Sequence, residues 1–179
     1  MLIHRAAELS DVACSLFERG RVISAFLITR GLLETAALMC YLRERVCGVT
    51  DADGLSDLDD FLMRALLGSR DGDIEVRALN VLTLVNSVAK KIPFFRNSYD
   101  SLSEFAHPNW SGLLGSYAKH DLEKLLVTLG REAVNVPPRI GLPVLVGVLE
   151  DFIHHDNDLG GKLPEFIQLC EVALREGAT

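Results

Sequence analysis

Two charged residues, Arg30 and Glu34, interrupt the apolar stretch GRVISAFLITRGLLETAALMCYLRERV at residues 20–46. Four positions apart on a helix, they share one face and can pair with each other or with a group brought in from elsewhere. Charges taken out of water cost several kcal/mol each unless their hydrogen bonds are satisfied, so in a core helix both need partners. One reading is an ion pair that fixes helix register. The other is a pocket in which Arg30 meets an anionic or polar ligand while Glu34 orients a base or proton donor, with Tyr41 extending the same wall.

His107 is the second focus. Tyr99, Ser103 and His107 recur at four-residue intervals, which places phenol, hydroxyl and imidazole along one face of a helix expected from Tyr99 to Ala106 and ended by Pro108. A histidine at a helix C-terminus gains from the dipole without any catalytic role. The alternative expectation is that His107 approaches Glu34, which would fix the imidazole tautomer and favour its protonated form. Arg96, Asn97, Tyr99 and Asn109 flank this helix as candidate ligand-binding residues, and Arg30, Glu34 and His107 are the candidate catalytic set.

The segments RGLLETAALMCYL and YDSLSEFAHPN together resemble bacterial helical proteins related to the HEPN superfamily. Many members of that superfamily are dimeric ribonucleases of toxin or defence systems, built around an Arg often followed by Asn, with a His shortly after on the same helix. Arg96 and Asn97 match the start of that pattern, but the next His is His107, eleven positions on, and Asp100, Ser101 and Leu102 stand where the superfamily places its His. The resemblance therefore implies a helical bundle and a homodimer more than it implies catalysis.

The 179 residues fit one domain, 1–179, large enough to bury a substantial core. A hydrophobic share of 49% with mean hydropathy of +0.22 favours an unusually large core or an oligomer interface, hence the expected homodimer. No stretch reaches the eighteen or so uncharged apolar residues of a membrane span, and MLIHRAAELSDV lacks a secretory h-region, so a cytoplasmic protein with no membrane contact is expected. The net charge of −7 disfavours nonspecific nucleic-acid binding, and no DNA partner is expected. Residues 51–75 carry eight acids against Arg64 and Arg70, a balance of −6, whereas residues 77–131 carry seven bases against four acids, or +3.

Cys14, Cys40, Cys47 and Cys170 show no CxxC spacing and read as reduced thiols. His154, His155, Asp156 and Asp158 look like metal ligands on paper, but a frayed, solvated helix end accounts for them, so no metal is expected. The absence of GxSxG, P-loop, Rossmann and HExxH patterns gives no reason to expect a cofactor.

The elements that must position these residues are predominantly helical. The periodicity predicts a first helix over Leu2–Glu18, capped by Gly20, with the central helix folding back antiparallel on it. An acidic, turn-rich run, GVTDADGLSDLDD, precedes a third helix reaching about Leu67, where GSRDGD closes it. A fourth helix spans Val76–Lys91, with Leu79, Leu82, Val85 and Val88 inward, and Pro93 stops it. Leu113–Lys119 and Leu125–Leu129 read as a hairpin around HDLEK, because Gly112, Gly115 and Gly130 suit a helix poorly. Gly141–His155 forms a further helix, NDLGG breaks it, and Leu163–Arg175 is the last, with Pro164 in its first turn.

The expected class is all-α, a bundle of six or seven helices with a small β-hairpin near 113–129. The expected function is a cytosolic HEPN-like interaction or regulatory module acting as a homodimer in a bacterial stress or defence system. The alternative is a ribonuclease or nucleotide-processing enzyme, in which Arg30, Glu34, Arg96, Tyr99 and His107 clamp the phosphate of an RNA or nucleotide ligand and supply an acid/base pair. The two part on whether Arg96 and His107 face a shared open groove.

Overall fold

The apolar stretch around Arg30 becomes the longest buried element, a helix from Val22 to Gly48 (α2) whose Phe26, Leu32, Leu33, Ala36, Ala37 and Cys40 are enclosed on nearly all sides. A computed structural model describes residues 1–50, 52–69, 75–130 and 135–176 of the chain. The described residues form an all-α bundle with one small antiparallel hairpin. Around α2 stand α1 (Leu2–Glu18), α3 (Ala52–Leu66), α4 (Val81–Ala89), α5 (Phe94–Ala106), the single turn α6 (Leu114–Tyr117) and α7 (Leu142–Glu176). By length and composition α2 could cross a membrane, yet most of its apolar window is buried inside the bundle, as in any central core helix.

α1 turns into α2 through Gly20, whose φ of +68° is the left-handed conformation that glycine adopts without strain. There the Gly20 and Arg21 amides donate to the Phe17 and Leu16 carbonyls at 3.0 and 2.8 Å, which closes the end of α1. The short connection makes the two helices an antiparallel pair, with α4, α5 and α7 packed on the remaining sides of α2.

Several boundaries differ from the sequence reading. α3 begins at Ala52, so much of the acidic run is helical rather than a turn; Asp51 and most of GSRDGD lie outside the described residues. α4 begins only at Val81, where the Asn80 side chain accepts from the Leu82 amide at 3.0 Å, and its buried set is Leu84, Val85 and Val88 while Leu82 is exposed. α5 starts at Phe94, directly after Pro93, which puts Arg96 and Asn97 inside its first turn. The hairpin pairs β1 (Ala118–Asp121) with β2 (Leu126–Leu129), Ala118 opposite Leu129. Its expected first half is instead the α6 turn, held by the Tyr117 amide on the Leu113 carbonyl.

The largest correction concerns the C-terminal third. NDLGG does not break the helix: α7 runs unbroken for 35 residues with Pro164 inside it. Gly160, Gly161 and Pro164 weaken helix locally, but both sides of that point are anchored. Arg43 pairs with Asp158, and Leu159 and Phe166 pack on Val46, Leu58 and Phe61, a second apolar cluster at the far end of α2. Tertiary contact overrides local propensity here.

Candidate functional site

Arg30 leaves α2 towards α5, where its Nη2 donates to the Tyr99 hydroxyl at 2.7 Å and its guanidinium carbon lies 4.7 Å from the Tyr99 ring centroid. The Arg30 Nε is 3.3 Å from Glu34 Oε1, within ion-pair distance. The Nε–H is not aligned on that oxygen, so the buried Nε makes no hydrogen bond. The two side chains are 26% and 29% exposed, which puts the pair at the bundle's edge rather than in its interior. One turn along α5 the Ser103 hydroxyl is enclosed and without a hydrogen-bond partner.

The structure thus joins Arg30, Glu34 and Tyr99, but it does not bring His107 to Glu34. Tyr99 meets Arg30, and Phe105 stacks edge-on against Phe26 at 5.3 Å, so α5 descends antiparallel to α2. His107, two residues past Phe105, therefore stands level with the first turn of α2, about 15 Å along the axis from Glu34. It is exposed, in an extended backbone conformation that caps α5.

Arg96 is exposed and donates to Asp100 Oδ2 at 2.7 Å and to Asn86 Oδ1 on α4 at 2.8 Å. Arg96 and His107 lie on the same outer side of α5, about 16 Å apart along its axis, too far to act on one phosphate within a single chain. Asn97 is exposed beside Arg96. Asn109 shapes the turn after the helix: its side-chain Nδ2 donates to Glu104 Oε1 at 2.8 Å and its side-chain Oδ1 accepts from the Gly112 amide at 2.9 Å.

Glu34 also lines a cleft of about 220 Å³ between α1, α2, α3 and α4, together with Arg5, Thr35, Arg64 and Leu84. Arg5 Nε donates to Thr35 Oγ1 there at 3.1 Å. Tyr41 does not extend an Arg30 pocket. It belongs to a neighbouring cleft of about 360 Å³ with Arg45, Asp57, Asp60 and Phe61, and Arg45 Nη2 donates to its hydroxyl at 2.7 Å.

Sequence reasoning missed one cluster. His155, expected at a frayed helix end, sits mid-helix and half-buried, with Nε2 3.2 Å from Cys40 Sγ. Burial, reinforced by the negative charges of Glu44 and Asp151, pushes the Cys40 thiol up to about 11, so it stays protonated beside the ring. Burial, aided by His154, holds His155 below its ordinary value, and its Nδ1 is enclosed without a partner. Nothing in the spacing of residues 40 and 155 signals this contact; only the continuity of α7 creates it. Among the described residues, no group of three or more His, Cys, Asp or Glu side chains is placed to hold a metal ion.

A pH dependence follows. A folded chain that prefers neutral His155 keeps that contribution whole above the imidazole's unfolded value of about 6.5 and loses it as pH falls through that value towards the depressed folded one. Asp151, held above 3.8 by burial, opposes this only as its own carboxyl takes up a proton. Thermal melting followed from pH 8 to 5 is expected to show a falling Tm on the acid side. In His155→Gln that slope should flatten; an unchanged slope would remove His155 as its cause.

No protein-family model, curated protein or solved structure matches the chain.

Proposed function

We propose that this chain is an interaction or regulatory module, cytosolic and HEPN-like in build, that works as a homodimer in a bacterial stress or defence system. One observation carries the reading: the β1–β2 hairpin is an arm that stands off the bundle and displays apolar side chains to water. Leu125 and Leu129 are 90% and 70% exposed, and Leu122, Leu126 and Val127 are exposed beside them. Among the described residues the arm's extensive packing is strand on strand, and at its buried base it is tethered by the Asn135 side-chain amide, which donates to the Ala118 carbonyl at 2.6 Å. An isolated two-stranded hairpin is marginal in water, and an apolar edge strand with free backbone groups is a template for a partner's strand.

The rival enzyme reading keeps Arg96, Asn97 and His107 on one exposed side of α5, but Arg30 is committed to Tyr99 and Glu34. Incubation of the purified protein with single-stranded RNA and a nucleotide panel is expected to give no turnover. Cleavage that disappears in His107→Ala would overturn the module reading in favour of the enzyme. Light-scattering mass should return twice the 19.7 kDa chain, and a monomer at tens of micromolar would remove the homodimer.

A further inference from the structure

One side of α7 carries a ladder at alternating spacings of four and three: Leu142, Val146, Leu149, Ile153, Asp156, Gly160, Leu163, Ile167, Cys170 and Leu174, of which Leu149, Asp156 and Cys170 are half-buried, Leu149 against the bundle's own core, and the rest exposed. This is the spacing of a coiled-coil seam, and it runs beside the face that buries Val144, Leu145, Val148 and Phe152 on the bundle, touching it at Leu149. Leu142 and Leu174, at its ends, are 39% and 74% exposed, and Val146, Ile153, Leu163 and Ile167 between them are exposed too. Only the two middle rungs, Asp156 and Gly160, are not apolar.

We infer that α7 pairs antiparallel with α7 of a second copy about a two-fold axis at residue 158. This rests on the homodimer reading above and builds that dimer on α7, which leaves the hairpin arm free for another partner. A two-fold interface must be self-complementary, and this ladder is. About residue 158, Leu142 falls opposite Leu174, Val146 opposite Cys170, Leu149 opposite Ile167 and Ile153 opposite Leu163. Asp156 meets Gly160, so the two interruptions face each other, and an unrelated partner gives no reason for that symmetry. Direction follows from the same rungs. A parallel pair would set Asp156 against Asp156, a like-charge contact, and Gly160 against Gly160, a void. The antiparallel pair gives each carboxylate the space a glycine leaves.

The area is sufficient. A helix of 35 residues is about 50 Å long and about 10–12 Å across with its side chains. A strip of that size on each copy comes to about 1,000–1,200 Å² in total, at the threshold of a specific interface.

The seam contains its own reporter, Cys170. With the exposed Cys14 and Cys47 replaced by Ser, Val146→Cys is expected to form a covalent dimer on mild oxidation with diamide. The product should vanish when Cys170→Ser is added, and Val172→Cys, off the seam, should give none. Cross-linking through Cys170 without Val146→Cys would mean a parallel pair and overturn the inference. A dimer by mass that Val146→Cys does not cross-link would overturn the inference and leave the homodimer standing; a monomer would overturn both. Val146→Asp with Ile167→Asp changes only exposed positions, so the melting curve of the monomer should persist while dimer affinity falls roughly a hundredfold or more. Unchanged affinity would overturn the assignment.

Discussion

Phe26→Ala is expected to lower the free energy of unfolding by about 3–5 kcal/mol. Phe26 is fully buried, with its ring 6.0 Å from Phe17 on α1 and 5.3 Å from Phe105 on α5. The entry to α7 closes over the same ring at Gly141, where any side chain would collide with Phe26 and Phe17. One side chain thus fills the junction of four helices, and no neighbour can collapse into the space without moving a helix. With about 5–15 kcal/mol available to a domain of this kind, such a loss leaves the fold marginal at 37 °C. Denaturant unfolding gives the value directly. A cost near 1 kcal/mol would mean that the junction repacks and that Phe26 is not its keystone.

Around Arg30 the expected order of damage is Arg30→Leu, then Tyr99→Phe, then Glu34→Ala. The guanidinium supplies a charged hydrogen bond to the Tyr99 hydroxyl and stacks on its ring, so its removal should cost about 2 kcal/mol. Tyr99→Phe keeps the ring and loses only the hydroxyl, for about 1 kcal/mol. Glu34 pairs with Arg30 at 3.3 Å while 29% exposed, which places its contribution below about 1 kcal/mol. An ion pair fully out of water would reverse this order and make Glu34→Ala the severe change. Parallel denaturation of the three variants decides between them, and a Glu34→Ala cost of several kcal/mol would refute the edge-of-bundle geometry.

Much of this architecture was legible because it is local. The apolar stripe of Leu2–Glu18 and the capping glycine at position 20 define α1 and its turn, and the glycines around the hairpin mark it as non-helical. Helical phase also placed Arg30 and Glu34 on one face. What phase cannot supply is the axial level at which two helices meet. The stacking of Phe105 on Phe26 sets α5 so that Tyr99, not His107, reaches Arg30. The unbroken α7 was hidden for a related reason: its Gly and Pro signals are local, whereas the Arg43–Asp158 pair and the seat of Phe166 depend on residues more than a hundred positions away.

The enclosed Cys40 thiol gives the protein a built-in clock for its own opening. Cys14 and Cys47 lie at the surface and react with an alkylating reagent from the start, whereas Cys40, 2% exposed and protonated against His155, is silent while α2 and α7 stay together. With Cys170→Ser removing the half-buried thiol of the α7 seam, the slow phase of thiol labelling therefore counts how often those two helices part.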